Sequence, residues 1–491
     1  MRSANDCFFR WTARARMWVV AGLMVAGFAT SAAPKRPNII FFLADDQRAD
    51  FLGCAGHPFL QTPTIDRMAA NGVRFENAFV TTSICSTSRA TILTGLWERS
   101  HRYTFGVPPM RDGLAEQSYP FLLRKQGYRT GFIGKYGVAF KGGRQDEMFD
   151  SYEPLNRNLF WKKQSDGSLR HLTDIVGDRA IDFVRKSKDG PFCLSVSFNA
   201  AHAEDSKRAS ALDHYPWPPM ENGLYEDITV PEPAVGRDFY KSLPKFFHTS
   251  MHRDRYQWRD TPAKYQDYAK AYFRMITGLD RNIGRVWEEL KRLGIEQNTV
   301  IIFTGDNGYY LGSRGFSGKW SHYEESLRVP LVVYDPRLAQ EQRGRVLEQM
   351  ALNVDIPATI MALAQNGGVP GKYQGRSLVP LLRGRTNAKW RTDFFAEHLF
   401  ERFDIPKWEG VRTGRYKYAR YFENLPAGEF LHDMSIDPLE KVNLVNDPRA
   451  ADVLQEMRAR TDQLRDAYGG KWSMEKWQAK PSRRPQPRRR K

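Results

Sequence analysis

Two apolar runs end in oxygen-bearing side chains: "NIIFFLADD" delivers Asp45 and Asp46, and "VIIFTGDN" delivers Asp306 and Asn307. Runs this continuous read as strands buried on both faces, and in open α/β sheets ligands collect outside the carboxyl ends of the strands. Neighbouring strand residues point to opposite faces, so each pair can act together only if the chain leaves the strand there. The Gln-Arg and Asn-Gly stretches that follow allow it. Three carboxylates gathered without a cation are costly, since two unit charges about 4 Å apart repel by roughly 4 kcal/mol at an effective dielectric of 20. An all-oxygen set of three Asp and one Asn suits a hard ion, Ca2+ ahead of Mg2+, whereas zinc requires His or Cys. Taken singly, each pair reads equally well as turn formers or helix caps.

A third stretch carries a different chemistry. In "TTSICSTSRATILTG" (81–95), Cys85 sits among small hydroxyl residues at a helix entrance, with Arg89 one turn on. A thiolate is a poor ligand for a hard, oxygen-lined cation, so the cysteine and the acids conflict unless residue 85 presents oxygen. The other cysteines are bland. Cys193, in "PFCLSVSF", reads as a small buried hydrophobe, and Cys54, Cys85 and Cys193 together cannot build a disulfide framework.

The elements that must position these residues alternate regularly. "TPTIDRMAANG" is a helix with Pro near its start and Gly72 closing it. "YPFLLRKQG" then "YRTGFIGKYG", and "IVGDRAIDFVRKS" then "PFCLSVSFN", repeat helix followed by strand. In residues 264–294, Tyr265, Tyr268, Tyr272, Ile276, Leu279, Ile283, Trp287 and Leu290 line one face of a long helix. The pattern predicts an α/β fold over 34–385, a large mostly parallel sheet sandwiched by helices. Residues 386–470 follow as a smaller C-terminal antiparallel sheet plus one helix. The stretch 205–262 has no sustained period and reads as an irregular insertion on the substrate side. Its Trp217 and Trp258 are candidates for stacking on a sugar ring or for packing under the loop.

Both ends of the chain stand apart. Arg2, Arg10, Arg14 and Arg16 precede "MWVVAGLMVAGFAT" and then "SAAP", which predicts a cleaved secretory signal over 1–33. That apolar run is shorter than the roughly 20 residues a membrane span needs, so the expected protein is exported, periplasmic or secreted, with no transmembrane helix. Of the formal charge of +18, about half comes from 471–491, a Pro-interrupted basic tail with nine Lys/Arg and one Glu. A disordered appendage is its simplest reading. Export excludes nucleic acid as the partner, and a polyanionic glycan or anionic surface suits the tail better.

"CSTSRATILTG" resembles the signature of the type I sulfatases, C-x-P-x-R-x-x-x-L-T-G, in which the cysteine is oxidised to formylglycine during export. The resemblance runs the length of the body: "RPNIIFFLADDQ", "FIGKYG", "FNAAHAED", "VIIFTGDNG" and "GFSGKWSHYEESLRVPLVVYDP" follow the family's blocks in order. So do "NVDIPATIMALAQ", "GRSLVPLLRG", "VRTGRYKYARYF" and "LHDMSIDPLEKVNL". It implies an alkaline-phosphatase-like fold and hydrolysis of a sulfate ester, and export, aromatic content and the basic tail point to a sulfated carbohydrate as the substrate. It implies Asp45, Asp46, Asp306 and Asn307 as Ca2+ ligands, with Cys85, matured by a formylglycine-generating enzyme, completing the shell. One oxygen of the hydrated residue 85 would attack sulfur, and the second would later expel sulfate. Arg89 and Lys135 would hold the diol, Lys319 would bind a sulfate oxygen, and His202 would protonate the departing oxygen. Glu397, His398 and Arg412 are further candidates for substrate contact.

Two positions depart from the family pattern. Thr87 stands where Pro is usual, and Gly137 stands where the G-K-W-H block has its histidine. The acceptor of the diol proton is therefore unassigned, with His101 and His322 as candidates. Two other readings remain: a phosphoester or phosphonate hydrolase of the same fold, and a non-catalytic binder of sulfated glycan. Two-zinc relatives need several His ligands, against which "GDNG" counts.

Overall fold

The computed structural model describes residues 36–205, 210–364, 368–385 and 389–473. The signal read at 1–33 and residues 474–491 of the basic tail lie outside the described residues. Among the described residues, no helix is long and apolar enough to cross a membrane.

The central sheet has eight strands: β1 (Asn38–Ala44), β2 (Val73–Phe75), β3 (Arg129–Gly134), β4 (Ser151–Pro154), β5 (Phe192–Ser197), β6 (Thr299–Gly305), β7 (Leu331–Tyr334) and β8 (Arg345–Leu347). Their order is β8-β2-β7-β6-β1-β5-β3-β4. Every pairing is parallel except those of β7, which runs against both its neighbours. The register places Ala44 beside Gly305, so Asp45 and Asp306 leave the sheet side by side. Ser197 at the end of β5 pairs with Leu43 on one side and Gly134 on the other. Lys135 and His202 therefore emerge at the same edge.

Helices cover both faces. Ile39, Phe41 and Leu43 of β1 enter a core shared with α2 (Cys85–Thr94) and α5 (Asp355–Ala364). The alternate residues Ile40, Phe42 and Ala44 enter a second core with α1 (Pro63–Ala70), α3 (Leu172–Ser187) and α4 (Pro262–Arg292). Strand alternation divides the two cores. All eight residues expected on the apolar face of α4 are buried. From that helix Asp280 accepts the Thr64 and Ile65 N–H groups at 3.0 and 2.7 Å, satisfying donors that the first turn of α1 leaves free.

The C-terminal region is the predicted small antiparallel sheet, β9 (Asp393–His398), β10 (Trp408–Thr413), β11 (Tyr416–Arg420) and β12 (Glu429–Asp433). Val411, Tyr418 and Leu431 pack on Leu454 and Met457 of α6 (Ala451–Tyr468). A buried ionic cluster ties this sheet to the main body. Arg99 Nε lies 2.6 Å from Glu397 Oε2, and Arg99 also pairs with Glu409. Beside them, burial and the Glu397 carboxylate push Glu98 well above its ordinary pKa, and burial pushes Glu397 up to about 7. An acid whose folded pKa is raised keeps a proton that the unfolded chain gives up near pH 4.3. The stability it contributes is complete below that pH and is lost as pH rises through about 7 and beyond. Tm is expected to fall between pH 5 and pH 8, and Glu98→Gln to flatten that slope by about 1–3 kcal/mol in thermal denaturation at both pH values.

Candidate active site

The two strand ends and the entrance of α2 converge. One carboxylate oxygen each from Asp45 and Asp306 and the Cys85 Sγ lie within 4.8 Å of one another, all buried, and Asp45, Asp46 and His202 form an overlapping group of the same size. Asp46 reaches the cluster because its backbone turns left-handed, φ 59, a conformation that Asp tolerates better than most residues. The turn is pinned from both sides: the Asp46 N–H donates to Asp306 Oδ1 at 3.1 Å, and the Tyr272 hydroxyl on α4 donates to the Asp46 carbonyl. Asn307 Nδ2 donates to Asp46 Oδ1 at 2.7 Å.

Helix α2 is buried along its whole length, which accounts for its small hydroxyl residues. Thr94 Oγ1 donates back to the Ala90 carbonyl at 2.8 Å, and Ser88 Oγ accepts from Asn353 Nδ2 at 2.9 Å, so its polar groups are satisfied without bulk. Cys85 occupies the first helical position, with 5% of its surface exposed. Thr87 accepts the Phe105 N–H at 3.4 Å through its hydroxyl, a bond proline could not make. Arg89, one turn into the helix, donates from Nε to Asp306 Oδ2 at 2.8 Å and from Nη1 to the Lys135 carbonyl at 2.6 Å.

The electrostatics are those of acids crowded out of water. Lys135 and Lys319 close on Asp45 and Asp46 respectively. Burial raises the Asp45 carboxyl, but the cations of Lys135, Arg89 and Lys319 outweigh it and hold it well below the usual range. Burial, then the Asp45 charge, pushes Asp306 up to about 6. Among the described residues Asp45 Oδ1 and Asn307 Oδ1 are buried with no hydrogen-bond partner, which is costly unless a cation takes them. Two orphaned oxygens beside a carboxylate that resists ionisation, among all-oxygen donors, fit a hard divalent ion. Asp45, Asp46, Asp306 and Asn307 would hold it.

Cys85 links this cluster to a cavity of about 720 Å3 whose lining also includes Lys135, His202 and Lys319. His202 Nδ1 faces the Ala203 carbonyl at 2.7 Å, which fixes the proton on Nδ1 and leaves Nε2 towards Asp46 Oδ2 at 3.6 Å. Burial, then Arg157, holds the imidazole well below its usual pKa, so the resting ring is neutral and Nε2 carries a lone pair.

Several candidates lie elsewhere. His101 is bonded to Thr91 and the Tyr103 N–H, and His322 Nδ1 to Tyr421; neither lines the cavity, so neither replaces the histidine missing at Gly137. At that place the wall is the Gly137 carbonyl, which accepts from Ser86 Oγ at 2.6 Å and the Tyr103 hydroxyl at 3.2 Å. Gly137 has φ +70, and a Cβ there would stand 3.1 Å from Arg89 Cδ. Gly137→His is therefore expected to displace Arg89 rather than restore a base, costing about 1–2 kcal/mol in Tm measurements and lowering kcat. Glu397 is committed to Arg99, His398 is fully buried in β9, and Arg412 lies 3.5 Å from Glu324. Trp217 sits under Arg274 and Trp258 against His214. None of these five lines the cavity.

Among the residues that do line it, and that sequence reasoning passed over, are Tyr103, Arg157, Arg255, Trp320, Phe400 and Arg402. Trp320 follows Lys319 directly and Arg255 falls in the irregular 205–262 insertion, so both carried a signal. Phe400 and Arg402, on the loop after β9, carried none.

A sequence model of the family described as Sulfatase matches residues 37–366, and one described as N-sulphoglucosamine sulphohydrolase, C-terminal, matches 312–467. The chain is 28% identical to an N-acetylglucosamine-6-O-sulfatase of Bacteroides thetaiotaomicron, over 88% of this chain and 87% of that one. A solved structure described as a complex with its substrate, D-glucosamine-2-N,6-O-disulfate, superposes with a TM-score of 0.76 at 26% identity, covering 88% of this chain and 98% of that one. A phosphonate monoester hydrolase of Agrobacterium radiobacter superposes with a TM-score of 0.73 at 23% identity, covering 88% and 96%, and shares the fold. The chain belongs to the sulfatase family of the alkaline-phosphatase-like superfamily and is a sulfuric ester hydrolase.

Proposed function

We propose that this enzyme is exported and removes sulfate from a sulfated carbohydrate, using residue 85 in its formylglycine form and a Ca2+ ion held by Asp45, Asp46, Asp306 and Asn307. The observation that carries the reading is the convergence of those four side chains with Cys85, which lines a cavity that also presents Lys135, His202 and Lys319. The relatives' sulfated-sugar activities support the substrate class.

Conversion of Cys85 by a formylglycine-generating enzyme puts oxygen on the β-carbon, matching a hard cation where sulfur does not. The cation, when bound, polarises the sulfate and favours an oxygen nucleophile at residue 85. Lys135 and Lys319, which pair with Asp45 and Asp46, would turn their ammonium groups to sulfate oxygens as charge builds there. Arg89, fixed by Asp306 and the Lys135 carbonyl, orients the side chain of residue 85 from one helical turn away. Entry of an anionic sulfate raises the proton affinity of His202. A proton on Nε2 then stands towards the departing oxygen, while Nδ1–H keeps the ring aligned on Ala203.

Peptide mass spectrometry across residues 81–95 tests the reading alongside sulfate release from a panel of sulfated sugars. Formylglycine at 85 in active enzyme is expected; full activity with an unmodified thiol would sink it.

A further inference from the structure

Outside the acid cluster, the cavity wall holds a cation that no described residue neutralises. Arg157, Arg255 and Arg402 all line the cavity. Arg157 is paired with Asp205, and Arg402 donates to the two Asp404 oxygens at 2.5 and 3.1 Å. Arg255 makes no ion pair and no side-chain hydrogen bond among the described residues; its guanidinium carbon lies 5.3 Å from the centre of the Trp320 ring.

Trp320 is held in place for that contact against its own backbone preference. Its φ of 86 is left-handed, rare for a bulky side chain and found where surrounding structure over-determines a functional position. The Trp320 carbonyl accepts from Trp408 Nε1 at 2.9 Å. Gly318 leaves the space the indole needs, since a Cβ there would fall 2.3 Å from a ring carbon. The indole is thus fixed immediately after Lys319, and the half-buried guanidinium lies over it.

We propose that Arg255, seated on Trp320, is a specificity-determining residue that binds a second anionic group of the substrate while Lys319 and Lys135 hold the sulfate being cleaved. The proposal rests on the hydrolase reading above and adds the substrate class: a sugar, or short saccharide, with two anionic groups. A guanidinium suits the task better than an ammonium, because it stacks on the ring and offers sulfate or carboxylate a planar fork. Both anions share that chemistry.

Kinetics of wild type, Arg255→Gln and Arg255→Lys on four substrates test it. These are 4-nitrophenyl sulfate, 6-O-sulfated N-acetylglucosamine, 2-N,6-O-disulfated glucosamine, and a 6-O-sulfated glucosamine linked to a hexuronate. Arg255→Gln is expected to raise KM for a doubly anionic substrate by about 10- to 100-fold at nearly constant kcat. The two singly sulfated substrates should be unaffected, with partial recovery in Arg255→Lys. Which of the last two substrates responds tells sulfate from carboxylate. Calorimetric binding of the same two sugars to Cys85→Ala, with and without Arg255→Gln, gives a second readout that needs no turnover. Unchanged affinity there, or an equal loss on all four substrates, overturns the proposal. Wild type that binds these sugars through Arg255 yet releases no sulfate would instead overturn the hydrolase reading alone.

Discussion

Cys85→Ala is expected to lower kcat for sulfate release on the order of 10^5-fold while leaving Tm within about 1 °C of wild type. A nucleophile that acts as one unit with its supporting groups carries nearly all of the chemical acceleration, and single deletions of such groups cost losses of this size. The fold should hardly register the change. The side chain is small and sits at the first position of a helix anchored along its length by Ser88, Thr94 and Arg89. Cys85→Ser is the sharper control, because it supplies an oxygen without the aldehyde. Turnover restored by serine would show that oxygen alone suffices, and turnover retained by alanine would remove residue 85 from the chemistry. Both are measured as released sulfate alongside a thermal melt.

Removal of divalent metal by EGTA is expected to abolish turnover and lower Tm, with both restored by Ca2+ and not by Zn2+. Among the described residues Asp45 Oδ1 and Asn307 Oδ1 are buried without hydrogen-bond partners, and Asp306 sits at a raised pKa. An ion that occupies the folded state alone stabilises it by about 2.7 kcal/mol at a concentration 100 times its Kd, roughly 3 °C in Tm for a chain of this size. Asp306→Asn separates the two roles of that carboxylate, which also anchors Arg89. It should weaken Ca2+ binding, read by calorimetry, and lower kcat even at saturating Ca2+. A Tm and rate indifferent to EGTA, or restored by zinc, would show that these oxygens do not serve a hard cation.

The sequence by itself determined the elements and the chemistry they carry. Short continuous apolar runs bounded by turn residues read as strands buried on both faces, so β1 and β6 and the acids that end them were legible. The spacing of three and four residues from Tyr265 to Leu290 made α4 legible, and loss of periodicity marked the insertion that supplies Arg255. Tertiary structure decided what pairing register and packing alone can set. Ala44 lies beside Gly305, which brings Asp45 to Asp306 across 260 residues of chain. His101 and His322 proved to be engaged elsewhere, and the Gly137 carbonyl stands where a histidine was sought. Trp320, and not Trp217 or Trp258, faces the cavity. The physical reason is one of range. Periodicity and local turn chemistry act over a few residues and leave a record in them, whereas the walls of a cavity are assembled from distant segments whose orientation no local pattern encodes.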